Sequence, residues 1–319
     1  MAHTSLSQVT LADYSYLSVQ KQYIKMLSYE ADVFADRDPE ALHQMRVSLR
    51  RLRTAIKAFD RILDLPPGMS DRQLAKIGKI LGKVRDLDVL SIACEEYEVD
   101  LPKSEKYYLE ELISILHKRR HKAVIKMQST IESKNYQHLK LSINNWLNEP
   151  RYTATGKVNL LEVLPDLILP SIGNLFQYPA WWITPETQPQ EDSTLSSVVE
   201  ELLLSQGTCF HDLRKQVKNT RYLMELFTDA YGERYGDFLQ DFKEIQKLLG
   251  TIQDTLVFNH LIERMLGKNV SKKMPNFTKK LISERDIAWQ SWQPIQHRYQ
   301  QTSTKQKLRL LVAQIAIEH

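Results

Sequence analysis

His43, Arg46, Arg50, Arg53 and Lys57 follow one another at spacings of 3, 4, 3 and 4. On a helix these spacings put five cationic or protonatable groups in one file. His211, Arg214, Lys218 and Arg221 repeat the first three intervals. A guanidinium donates two parallel hydrogen bonds to a phosphate or carboxylate and stays charged at any physiological pH. An imidazole adds a donor that strengthens as pH falls through its titration range. The pattern therefore points to capture of a polyanion. It also has a folding cost: like charges three or four apart destabilise an isolated helix by about 0.2–0.5 kcal/mol per pair. A purely structural helix would place acids among them, or borrow acids from neighbouring helices.

The helix that carries the first file has its own apolar stripe, Met45, Leu49, Leu52, Ile56, Phe59 and Leu63. That stripe lies roughly 115° around the helix from the cations, so the basic file borders the buried seam. Arg51 and Arg61 fall off the file and read as surface charges. Residues 41–63 align with 209–231, and LGKVRDLDVL (81–90) with LGTIQDTLVF (249–258), each at an offset of 168. Gly82 and Gly250 recur inside these helical patterns, where close approach of another helix would explain them. Asp86 and Asp254 recur beside them, placed to hold neighbouring arginines. Arg120-x2-Ala123 recurs as Arg285-x2-Ala288 at an offset of 165. A duplicated unit with a duplicated basic file leads us to expect two halves facing one another across a single cationic site.

The 319 residues suffice for a large hydrophobic core, with 42% apolar and 26% charged residues. Few glycines, abundant helix formers and no alternating β-branched run give an all-α fold class. Four helices in each repeated half are the expected count, because a helix with one apolar stripe needs neighbours to cover it. The expected boundaries are a first bundle at 10–149, a proline-rich connector at 150–194 with one short helix around 159–177, and a second bundle at 195–300. A C-terminal helix occupies 301–319. Asp38 and Pro39 should cap and open the first basic helix.

Net charge is only +4, yet six Lys and Arg residues face one acid between His43 and Arg61. Clustering, not total charge, makes an anion-binding field. Cys94 and Cys209 have no metal or redox spacing, which fits a reducing cytoplasm. The N-terminus lacks signal-peptide features, and the most apolar stretch, 160–176, is too interrupted to span a membrane. Neither a metal site nor a catalytic residue is expected. His117 and His121 have helical zinc spacing but stand among cations. Gly78-x3-Gly82-Lys83 falls one residue short of a phosphate-binding loop, and no nucleophile elbow occurs. Asp86 and Asp88 point about 200° apart and cannot act as an acid–base pair. The basic files carry no interleaved aromatics, which disfavours single-stranded nucleic acid.

The segments His43-x2-Arg46-x3-Arg50-Arg51-Leu52-Arg53, Leu81-Gly82-x2-Arg85-Asp86-Leu87-Asp88, His211-x2-Arg214-x3-Lys218-x2-Arg221-Tyr222 and Leu249-Gly250-x2-Gln253-Asp254 together resemble the conserved histidine α-helical domain (CHAD) family, over roughly 10–300. The resemblance implies a single all-α domain of two four-helix bundles related by an internal pseudo-two-fold repeat, with a basic groove or pore between them. It also implies non-catalytic binding of inorganic polyphosphate and association with cytoplasmic polyphosphate granules. Carried over, the contacts are His43, Arg46, Arg50, Arg53, His211, Arg214, Lys218 and Arg221, with Lys57, Lys79, Lys83, Arg85 and Arg120 as additions. Asn219 and Thr220 depart from the pattern in the second copy. No cofactor is implied, and Glu96-x-Glu98-x-Asp100 does not match the triphosphate-tunnel motif that some members carry. RNA or DNA binding through the same surface is the alternative, and a phosphate-metabolising enzyme a more distant one.

Overall fold

A computed structural model describes residues 6–185, 195–267 and 270–315. Among them the chain is helical, with no strand and only two isolated bridges, Thr10–Asn159 and Leu63–Tyr152. The chain divides into two units, each described by itself below. One holds Met1–Asp100 with Leu109–Val163, the other Leu101–Tyr108 with Leu164–His319.

In the first unit, α1 (Leu11–Ser28), α2 (Glu30–Phe34), α3 (Pro39–Ala58) and α4 (Asp71–Glu98) precede α5 (Lys103–Ile131) and α6 (Lys134–Asn148). Helix α1 opens on a reciprocal cap, in which Asp13 N donates to Thr10 Oγ1 at 3.2 Å and Thr10 N to Asp13 Oδ2 at 3.3 Å. Helix α3 starts at Pro39, with the Asp38 side chain accepting from Glu40 N at 2.8 Å. All six residues of its expected apolar stripe are buried. The helix stops at Ala58, short of the stripe's end: Phe59 leaves helical geometry, and Leu63 reaches the core from the following loop. Helix α3 packs against α1, α2 and α4.

Arg120, on α5, ties three elements together. Its Nη1 and Nη2 donate to Asp36 at 2.7 and 2.8 Å, and its Nε to Asp88 at 2.6 Å. Asp88 is 5% exposed, so this guanidinium neutralises a carboxylate that could not stay buried alone. Hydrogen bonding to Asp36 is the main cause that raises the Arg120 pKa above arginine's ordinary value, against the opposing effect of burial.

The stretch expected to be a connector contains α7 (Leu160–Leu175), whose Leu164, Ile168, Ile172 and Leu175 are fully buried. Pro165 and Pro170 lie within it. Proline removes one backbone donor at each site but leaves the apolar spacing intact. The remaining helices are α8 (Leu195–Glu225), α9 (Glu233–Leu266), the short α10 (Val270–Lys273), α11 (Pro275–Gln300) and α12 (Thr302–Ala313). Helix α9 packs against α8 and α11. Helix α11 has no cap from its own flank; instead the buried Glu105 carboxylate accepts from Asn276 N at 3.1 Å and Phe277 N at 2.9 Å. Arg285, which aligns with Arg120, is itself the buried partner: 5% exposed at its side chain, it contacts Glu200 at 3.4 Å and Asp286 at 3.1 Å and donates to the Ser196 carbonyl at 3.0 Å. The nine residues 186–194 at the end of the expected connector, and the last four of the expected C-terminal segment, lie outside the described residues.

Candidate functional site

The first basic file runs along α3 where that helix meets α4, and the two helices are antiparallel. Asp71, at the start of α4, meets Arg53 and Lys57; Gly82 and Asp86, farther along it, meet Arg46. Arg85 adds its charge to the field at His43. His43, Arg46, Arg50 and Arg53 are half-buried and Lys57 is exposed. Burial penalises the imidazolium of His43, and the like charge of Arg85 adds to that penalty, so its pKa falls below the ordinary 6.5.

Arg46 is held in two ways. Its Nη2 lies 3.8 Å from Asp86 Oδ1, and its guanidinium covers Gly82. A side-chain carbon at residue 82 would overlap Nη1 and lie 3.4 Å from Cζ. The approach expected at Gly82 is made by α3, and what it brings to the glycine is a charged side-chain end. Asp86 stands beside the arginine as the sequence led us to expect. Arg53 is engaged more firmly, Nε to Asp71 Oδ1 at 2.7 Å and Nη2 to Oδ2 at 3.2 Å, with Lys57 Nζ 3.2 Å from the same carboxylate. Burial alone would raise the Asp71 pKa. Hydrogen bonding and charge from Arg53, joined by Lys57, outweigh that, and it falls below the ordinary 3.8. Lys79 and Lys83 are exposed on α4, three positions before and one after Gly82.

The second file, on α8, shows the same local pairings at positions 168 higher. Arg214 Nη1 is 3.9 Å from Asp254 Oδ1, and the same guanidinium covers Gly250. Gln253 stands where the first copy has Arg85. Its Oε1 is 2.5 Å from His211 Nδ1 and 3.4 Å from Arg214 Nη1. Lys218 is half-buried. Thr220, in the place of Leu52, is fully buried as that leucine is, and its hydroxyl lies 2.9 Å from Ser171 Oγ. The polar departure at Thr220 is thus absorbed by hydrogen bonding to Ser171 and Gln216.

Two of the expected contacts are committed elsewhere. Arg120 is held by Asp36 and Asp88. Arg221 is 9% exposed, pairs with Glu225, donates to Gln246 at 3.2 Å and stacks over Tyr222 at 4.3 Å. Both serve packing, because removing a guanidinium from such partners to hold a ligand would leave carboxylates desolvated. His117 and His121 are exposed on α5, and no group of three His, Cys, Asp or Glu residues placed to hold a metal ion occurs among the described residues.

Sequence reasoning missed Asp71 and Gln253. Asp71 gave no signal, being 18 residues from Arg53 with no counterpart in the second copy. Gln253 could have been found from its alignment with Arg85.

Against known proteins, the CHAD domain family model matches residues 18–263. The chain belongs to the CHAD domain family. A CHAD domain from the plant Ricinus communis has a similar fold, with a TM-score of 0.61, 20% identity, and coverage of 97% of this chain and 93% of that one. PptA from Streptomyces chartreusis gives 0.63 at 14% identity, covering 91% and 99%. At these identities both show that this CHAD chain shares their fold. No curated protein matches it. No described helix of this CHAD protein is long and apolar enough to cross a membrane.

Proposed function

We propose that this CHAD protein binds inorganic polyphosphate, without catalysing its cleavage, through the cations along α3 with α4 and along α8 with α9. The reading includes association with polyphosphate granules in the cytoplasm. The observation that carries it is the half-buried arginine seated over glycine beside an aspartate, found at Arg46 and again at Arg214. A cation fixed in place and bordered by further cations loses little side-chain freedom when an anion arrives. A regular polyanion then gains by displacing its counterions at each position.

Competition tests this reading. Labelled long-chain polyphosphate should be displaced by unlabelled polyphosphate at far lower phosphate concentration than by RNA, and log affinity should fall linearly with log salt. Displacement by RNA at equal phosphate concentration would favour a nucleic-acid surface instead. Incubation with polyphosphate and Mg²⁺ or Mn²⁺ should release no free phosphate, and turnover abolished by His43→Ala would replace the receptor with an enzyme.

A further inference from the structure

We infer that Gly82 and Gly250 are positioning residues: by lacking a side chain, each holds open the seat that fixes one arginine for the anion, Arg46 in one unit and Arg214 in the other. The inference rests on the polyanion reading above and adds residues that contact no ligand themselves.

The surroundings of the missing carbon carry the inference. At Gly82 the three nearest atoms are Nη1, Cζ and Nη2 of Arg46; at Gly250 they are Nη2, Cζ and Nε of Arg214, at 3.1, 3.4 and 3.4 Å. Other helical glycines differ. Gly173, Gly207 and Gly236 have nothing within 4 Å, and Gly78 meets only Leu49 Cδ2 at 3.5 Å. Glycine within a helix is unfavourable relative to alanine, and since this chain also has helical glycines that meet nothing, what marks Gly82 and Gly250 is the guanidinium lying on each. At residue 82 an added carbon would overlap the guanidinium, which therefore needs bare backbone there; at residue 250 the fit is tight without overlap, and Arg214 would give by a few tenths of an ångström. The aspartate four residues on, Asp86 or Asp254, stands at 3.8 or 3.9 Å and supplies the opposite charge that orients the fork. The seat is therefore backbone below and carboxylate beside, and it occurs twice at the same offset.

An added methyl at residue 82 need not disturb the fold, because the atom it would strike is the far end of a flexible side chain. Arg46 would swing off its seat while the helix gained propensity. Binding should weaken while thermal stability holds or rises, a combination that a packing defect would not give.

Two measurements on the full chain test this. In Gly82→Ala, affinity for long-chain polyphosphate should fall about tenfold with no drop in Tm, the scale of one charge-assisted contact, and in Gly250→Ala, where the contact is tight without overlap, it should fall by less. In an Arg46→Ala background, Gly82→Ala should have no further effect. Arginine side-chain NMR of the free protein should show the Arg46 Nε–H signal shifted and broadened in Gly82→Ala. An unchanged Arg46 signal, wild-type affinity in both glycine variants, or a loss that persists in the Arg46→Ala background would each overturn the seat. Wild-type protein that fails to bind polyphosphate would instead overturn the function, and the NMR comparison would still decide the seat.

Discussion

Arg53 and Asp71 form a two-point ion pair, with Nε to Oδ1 at 2.7 Å and Nη2 to Oδ2 at 3.2 Å, and Lys57 shares the carboxylate at 3.2 Å. The far end of the first cationic file thus already has an anion in place, while its near end, at His43 and Arg46, is shaped by glycine and further cations. Asp71 has a dual effect: it orders two of the cations and competes with any phosphate for them.

That competition gives the first prediction. Asp71→Asn frees Arg53 and Lys57, so polyphosphate affinity at low salt should rise several-fold and the salt slope should steepen by about one. Calorimetric titration at two salt concentrations checks it, and weaker binding in the variant would show that Asp71 supports the site by holding it in shape. The pair is about 30% exposed, so its loss should cost less than about 1 kcal/mol of stability. The Asp71 pKa is depressed in the folded state. Its stabilisation is therefore present above the unfolded value near 3.8 and lost as pH falls through the lower folded value.

Protonation of His43 should couple to binding. Its pKa in the free protein lies below 6.5 because of burial and Arg85, and bound phosphate raises it. Ligand binding then takes up a proton, and affinity should climb as pH falls from about 7 toward 5.5. His43→Gln should flatten this profile, while Arg85→Gln should move its onset to higher pH. A pH profile unchanged in both variants would remove His43 from the site.

Arg120 should matter for folding. Its removal leaves Asp88, 5% exposed, without its cation, and should cost about 3 kcal/mol. Arg120→Ala should therefore lower the urea midpoint, while the protein that remains folded binds polyphosphate as tightly as before. Tighter or weaker binding per folded molecule would return Arg120 to the ligand-contacting set.

Arg221 and Lys218 should separate in the same way although they stand three residues apart. Arg221→Ala breaks contacts with Glu225, Gln246 and Tyr222 and should chiefly lower Tm. Lys218→Ala should chiefly reduce affinity. Equal loss of affinity in both would place Arg221 at the ligand despite its burial.

The periodicity of α3 was legible because one helix decides it: Met45, Leu49, Leu52 and Ile56 are buried at the spacing that 3.6 residues per turn requires. So were its cap at Asp38 and the pairing of Asp86 and Asp254 with arginines, since a fixed offset exposed both copies. What stayed hidden depends on contacts distant in sequence. Arg120 looked like the other basic residues, and only folding brings Asp36, 84 positions away, onto its fork. The Glu105 cap of α11 spans 172 positions at Phe277. Within 150–194 the helix expected around 159–177 is present at Leu160–Leu175, and Ile168 and Ile172 flank Pro170 on a buried face, so the core overrides the local preference of the two prolines. Gly82 was singled out correctly, but sequence alone could not show that the part of the neighbouring helix lying on it is a guanidinium.

The most direct measurement is titration of long-chain polyphosphate into wild-type protein and the Arg50→Ala/Lys218→Ala variant at two salt concentrations, with Tm recorded for both. Loss of one charge-assisted contact from each file should reduce affinity by about a hundredfold and lower the salt slope by about two, with Tm nearly unchanged. Binding of the variant at wild-type strength and with wild-type salt dependence would contradict a polyphosphate receptor built on these two helices.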